Sequence, residues 1–275
     1  MASSVKKRAL NKKSESENDS EFNMDEEIQA DFEGRNPEVQ DFNGIRQLLK
    51  QIFLKEHVDV SQLSDMIIAQ EGIGSVLKQS WNDEDDDDED DTLTEALDVF
   101  GVTTVVNLSS HQQTPVVQQL FELMQRLSKD NANEATKAKI DAILNNSKRI
   151  GLLINERFVN LPPKVADPLL TSLQAELTRM MKRDATYDFE YYVVVCKLYK
   201  SKGQKSTFIF SNAEEEVFSK EAEVSLEYSV ASQSDTALGG QWAEGDTEMI
   251  PYRRILFIPG NKFGHIVQKV KEFVG

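Results

Sequence analysis

The segment from Ile150 to Pro163, IGLLINERFVNLPP, limits the possible folds of this chain more than any other stretch. Ile150 to Ile154 is a continuous apolar run beside a glycine, the pattern of a strand buried on both faces. Asn155, Glu156, Arg157, Phe158, Val159 and Asn160 then alternate. The Pro162-Pro163 pair stops any ladder and pre-sets φ for a helix start. Val165, Leu169, Leu170, Leu173, Leu177 and Met180 follow at helical spacing. A central strand, a sharp corner and an amphipathic helix therefore occupy one block at mid-chain. Glu156 and Arg157 stand where that strand runs out. No nucleophile with a neighbouring base accompanies them, so the pair reads as a solvated or mutually paired structural device rather than a catalytic one.

Upstream, Ile28–Phe32 alternates as a short strand. Asp41 is an N-cap candidate for a helix with Ile45, Leu48, Leu49, Ile52 and Phe53 on its apolar face. A second helix carries Val60, Leu63, Met66 and Ile67, with Asp59 or Ser61 at its start. Gly72–Leu77 reads as a strand, and its Gly72 and Gly74 lack the lysine and serine of a phosphate loop, so they read as a turn. Val99–Leu108 is β-branched and strand-like. Pro115 opens a helix with Val116, Val117, Leu120, Leu123 and Leu127 inward, and Ala132–Asn145 forms another. Downstream, Phe189–Tyr199, Phe208–Phe210, Ala222–Val230 and Arg254–Ile258 read as strands. Asn212–Phe218 reads as a short helix or an irregular segment, Ala231–Met249 as a loop, and Phe263–Phe273 as a closing amphipathic helix. Helices and strands intermixed in this way predict one α/β (α+β) domain with a mixed sheet.

The net charge of −16 is unevenly spread. Lys6, Lys7, Arg8, Lys12 and Lys13 make a basic start with the two-cluster form of a nuclear import signal. Residues 14–33 then hold nine acids and no base. Asp83, Glu84, Asp85, Asp86, Asp87, Asp88, Glu89, Asp90 and Asp91 form an unbroken acidic run. Residues 92–275 are left with only −2, so the charge sits in two appendages on a nearly neutral fold. Like charges in such a run repel, which predicts a disordered acidic loop at 82–92 and a disordered tail at 1–24. The run is either a tolerated insertion or a flexible anion for a cationic partner. It lacks the glycine turn and closing glutamate of a calcium loop, and its charge disfavours direct contact with a nucleic-acid backbone. The single cysteine, Cys196, excludes an intrachain disulfide and lies in an apolar run. His57, His111 and His265 are scattered, so neither a metal nor another cofactor is expected. No apolar stretch is long enough to span a membrane. Trp242 stands out in a polar loop, either as an anchor folded back or as a partner-facing hot spot.

Four stretches, GIRQLLKQIFLK at 44–55, GLLINERFVNLPP at 151–163, FSNAEEEVF at 210–218 and LGGQW at 238–242, resemble the BCCIP family of nuclear proteins in sequence, order and spacing. The likeness runs from about residue 25 to the C-terminus. It implies a domain over 25–275 similar to the GNAT acetyltransferases, a twisted mixed sheet flanked by helices, in a family not known for transferring acetyl groups. No pyrophosphate-binding glycine loop follows a strand here, and Pro162-Pro163 stands where backbone N–H donors would be needed. The resemblance also implies the roles. These are escort of a basic large-subunit ribosomal protein in ribosome biogenesis and nuclear export, and adaptor work with a cyclin-dependent kinase inhibitor, a recombination-repair protein and the spindle pole.

Overall fold

The computed structural model describes residues 31–80, 99–147, 149–201, 207–233 and 249–275. Eight strands form one mixed sheet. They are β1 (Phe32–Arg35), β2 (Ser75–Gln79), β3 (Gly101–Asn107), β4 (Ile150–Arg157), β5 (Tyr191–Ser201), β6 (Phe208–Phe210), β7 (Val224–Ser229) and β8 (Met249–Pro259). The strand order is β1-β2-β3-β4-β5-β8-β7, with β6 also on β5. Only β4 and β5 run parallel; the other pairs are antiparallel.

Among the described residues there are seven α-helices. One layer holds α1 (Phe42–Phe53), α2 (Val60–Ile68), α3 (Pro115–Asn131) and α4 (Glu134–Asn146), whose apolar faces meet Val102, Leu152, Ile154, Val193, Ile255 and Phe257. The other holds α5 (Ala166–Met181), α6 (Glu215–Glu221) and α7 (Phe263–Val274), which cover Val105, Leu153, Val194, Cys196, Leu256 and Ile258. The alternation of side chains along β4, β5 and β8 thus feeds two cores, one on each face.

The mid-chain block folds as its pattern demands. All eight residues of β4 are buried, and Pro163–Val165 makes a short 3-10 turn into α5. Gly72 and Gly74 have φ of +74° and +90° in the turn before β2. A Cβ on Gly74 would lie 2.3 Å from Thr104 Oγ1, so the turn needs glycine for space as well as φ.

Several boundaries differ from the sequence reading. The first described strand is Phe32–Arg35, and residues 28–30 of the expected strand Ile28–Phe32 lie outside the described residues. β8 begins at Met249, well before Arg254, because its whole length pairs with β5. Asp41 gives α1 no side-chain cap. It is buried, accepts a hydrogen bond from Glu38 N at 2.8 Å and pairs with Lys78 at 2.6 Å. Asp59 does cap α2, accepting from Ser61 N and Gln62 N.

Candidate functional site

The parallel pairing of β4 with β5 covers only Ile150–Leu153 against Tyr191–Val194. Beyond it both strands continue, β4 to Arg157 and β5 to Ser201, without pairing to each other. The chain itself enters at this divergence. β6 takes up the β5 edge opposite Leu198–Lys200, and Ser211 N donates to Lys197 O at 2.9 Å. Asn212 Nδ2 then donates to the β4 carbonyl of Asn155 at 3.0 Å. The segment Ser211–Glu215 thus ties the two strands together.

A buried ionic frame surrounds this tie, divided between the two faces of the sheet. On the α6 side, the Arg157 guanidinium grips the Glu214 carboxylate in a two-pronged pair, with Nη2 to Oε2 at 2.7 Å. Asn155 Nδ2 adds a hydrogen bond to Glu214 Oε1 at 2.8 Å, and Thr103 Oγ1 donates to Asn155 Oδ1 at 3.3 Å. On the α1 side, Lys197 pairs with Glu156. Arg253, opposite Lys197 in the ladder, donates to the last carbonyls of α1, Gln51 O at 2.6 Å and Ile52 O at 3.0 Å. A helix C-terminus favours a cation there.

Glu156 and Arg157 are therefore neither solvated nor paired with each other. Successive strand residues point to opposite faces, so each finds a separate partner. Burial pushes the Glu156 carboxyl upward, and the fields of Lys197 and Arg253 oppose it. Burial also holds Arg253 below the ordinary arginine value. Sequence reasoning missed the partners. Glu214 and Glu215 sit in a run of three glutamates that looks like surface, yet both are fully buried. The readable signal was the apolar flank on each side, Phe210 before the run and Val217-Phe218 after it.

Glu215 differs from its neighbour. Its Oε1 accepts from Asn212 Nδ2 at 3.1 Å, while Oε2 is buried without a hydrogen-bond partner. Burial, with the nearby Glu214 and Glu156 charges, raises its carboxyl well above the ordinary value of 4.5. The nearby Cys196 thiol is pushed up by burial and by Glu215, so it is a packed side chain rather than a nucleophile. The folded protein keeps a proton on Glu215 that the unfolded chain releases above about 4.5. Its effect on stability therefore turns unfavourable as pH rises from that value toward the folded one. Glu215→Gln, a neutral mimic, should leave the melting temperature unchanged in acid and raise it above that of the parent in alkali, the gap widening with pH. A gap constant with pH would remove Glu215 as the titrating group.

Asp83, Glu84, Asp85, Asp86, Asp87, Asp88, Glu89, Asp90 and Asp91 lie outside the described residues, as do Trp242, Lys6, Lys7, Arg8, Lys12 and Lys13. What the structure does show is where the acidic stretches meet the fold. Phe32 pairs with Gln79 in the β1–β2 ladder, and Ser80 N donates to Asp31 O at 2.8 Å. Asp31 belongs to the acidic stretch 14–33, and Ser80 leads toward the tract at 83–91. Asp31 and Ser80, the described residues that adjoin the two stretches, thus sit side by side.

Among the described residues, no three His, Cys, Asp or Glu side chains are grouped to hold a metal ion. No described helix is long and apolar enough to cross a membrane.

The fold and the frame define a class, a mixed α/β protein whose central charged residues are engaged with its own chain. The particular family follows from comparison. The BCCIP family model matches residues 27–232. The chain is 37% identical over 259 residues to the Protein BCCIP homolog of Drosophila melanogaster, covering 92% of this chain and 87% of that one. It is 36% identical over 264 residues to the BRCA2 and CDKN1A-interacting protein of Homo sapiens, covering 91% and 83%. It is also 32% identical over 177 residues to Protein bcp1 of Aspergillus oryzae, covering 63% and 56%. This chain belongs to the BCCIP family.

Proposed function

We propose that this protein is a non-catalytic nuclear binding protein that escorts a basic large-subunit ribosomal protein through ribosome biogenesis and nuclear export. The observation that carries the reading is the hydrogen bond that sets Asp31 beside Ser80, the described residues that adjoin the two acidic stretches. Eighteen acids in two stretches, nine in each, on a nearly neutral fold create a local negative field. Such a field speeds capture of a cationic partner and masks its positive surface. Lys6, Lys7, Arg8, Lys12 and Lys13 supply the import signal.

The filled divergence between β4 and β5 supports the non-catalytic part. A cofactor at that place would have to displace Ser211–Glu215 and leave Arg157 and Asn155 without Glu214.

A second reading is a scaffold in recombinational repair and cell-cycle control. What favours it is the name of the human relative, the BRCA2 and CDKN1A-interacting protein. Trp242 is the side chain it would use.

The test is a calorimetric titration of the full chain with a purified basic large-subunit ribosomal protein. Affinity should fall at least tenfold from about 50 to about 300 mM salt, as screening shortens the reach of the field. Replacing the nine acids of 83–91 by their amides should weaken low-salt binding by at least about tenfold. Full affinity in that variant would reduce the tract to an insertion.

A further inference from the structure

β6 is paired on one side only among the described residues. The Ser211 N to Lys197 O bond fixes which groups that pairing uses. Ser211 faces Lys197 as a hydrogen-bonded pair, so by alternation Ile209 and Tyr199 are the next such pair. The N–H and C=O groups of Phe208 and Phe210 turn to the opposite edge.

The side chains along this edge are unusual for a surface. Ile209 is 54% exposed, and Tyr199, directly across from it, is 37% exposed. Pro251 continues the same row on β8. On the other face, Phe208 and Tyr252 meet edge to face with centroids 5.3 Å apart. Lys200 Nζ lies 5.6 Å from the Phe208 ring centre and 5.8 Å from that of Tyr252. Edge strands are ordinarily blunted by shortness, by charge or by proline. β6, Phe-Ile-Phe, is short but carries neither charge nor proline.

The electrostatic setting is also out of keeping with the whole chain. From Tyr191 to Ala213 the sequence holds four lysines and no acid, in a protein of net charge −16. β8 adds Arg253 and Arg254 and no acid. Arg253 is turned inward to α1, whereas Arg254, paired with Glu227, lies 5.2 Å from the ring centres of both Phe208 and Phe210, so Lys200 and Arg254 are the described cations that border the edge.

We infer that β6 is a docking edge for an extended peptide segment of a partner, apolar at alternate positions and flanked by acidic residues. The peptide adds a strand to β6 through the outward groups of Phe208 and Phe210. Its apolar side chains lie on one face, beside Ile209 and Tyr199, its alternate polar side chains lie on the face of Phe208 and Phe210, and its acids face Lys200. This surface lies apart from the Asp31–Ser80 corner in the strand order and prefers the opposite charge, so it holds or fails independently of the escort reading.

The probe is a pool of synthetic peptides in which valine, isoleucine and phenylalanine alternate with threonine and both ends carry aspartate and glutamate. A second pool carries lysine in place of the acids. Binding to the full chain is read by fluorescence anisotropy, and the site by amide hydrogen exchange. The acidic pool should bind at least tenfold more tightly than the basic one and slow exchange at Phe208 and Phe210. Lys200→Glu should reverse the preference. Phe208→Pro, which removes an outward N–H while leaving the β5 side intact, should abolish binding; Phe208→Leu should keep it within threefold. Equal binding of the two pools, protection elsewhere, or loss in the leucine variant as well would overturn the inference. So would concentration-dependent dimerisation that Ile209→Lys abolishes, since the occupant would then be a second copy of this chain.

Discussion

Glu214→Ala should cost about 3–5 kcal/mol of unfolding free energy, because it leaves the Arg157 guanidinium buried without its counter-charge. Arginine cannot escape by losing its proton at any ordinary pH. The Asn155 amide loses an acceptor at the same time. Equilibrium urea unfolding at constant m-value measures the loss. Glu215 offers partial compensation. Arg157 already feels its field, and removing the Glu214 charge takes away one reason for Glu215 to stay protonated. Adding Glu215→Gln to Glu214→Ala should therefore deepen the loss, although Glu215→Gln alone stabilises at high pH. Replacing the pair together, Arg157→Met with Glu214→Leu, should recover most of the stability, since a well-packed apolar pair often matches a buried ionic one. As a control, Lys220→Ala breaks only an exposed i,i+4 pair with Glu216 and should change nothing measurable. If Glu214→Ala behaves like the control, Arg157 reaches water and the frame is not closed.

The contrast between Glu214 and Glu216 also shows what was legible in the sequence. Apolar spacing identified the elements because a helix face or strand face must repeat at its own period to be buried. The continuous run Ile150–Ile154 marked the central strand for that reason. Burial of charge leaves no such period. Three consecutive glutamates look alike in sequence, and only the packing of Phe218 and Val217 turns Glu214 and Glu215 inward and Glu216 outward. Partner choice was hidden for a related reason. Glu156 meets Lys197 across 41 residues and Arg157 meets Glu214 across 57, separations that no local pattern encodes. Strand ends were misjudged where pairing, not composition, extends the strand. Met249–Arg253 becomes β8 because β5 offers it an edge.

Lys197→Met should produce a loss of similar size with a different pH dependence. The change strands Glu156 instead of an arginine, and a carboxylate can take up a proton. In the parent, burial raises the Glu156 carboxyl and Lys197 is the largest influence pulling it back. Without Lys197 its folded value climbs further above that of the unfolded chain. The folded state then holds a proton that the unfolded state has released. Stability contributed in the protonated form is kept in acid and lost as pH rises from the unfolded carboxyl range through the new folded value. The cost should approach about 3–5 kcal/mol near neutrality and above, and shrink steadily toward pH of about 5. Adding Glu156→Gln should flatten that dependence, which separates an electrostatic cost from lost packing of the lysine stem. Urea unfolding across the pH range reads both. A loss that stays level with pH, or one that Glu156→Gln does not flatten, would mean that Lys197 acts through its contacts with α1, where its ammonium also reaches Gln51 Oε1 at 3.3 Å. The two halves of the frame thus predict opposite signatures from the same chemistry. The arginine half pays a penalty that pH cannot relieve, and the lysine half pays one that acid removes. That difference follows from which residue of each pair is left behind.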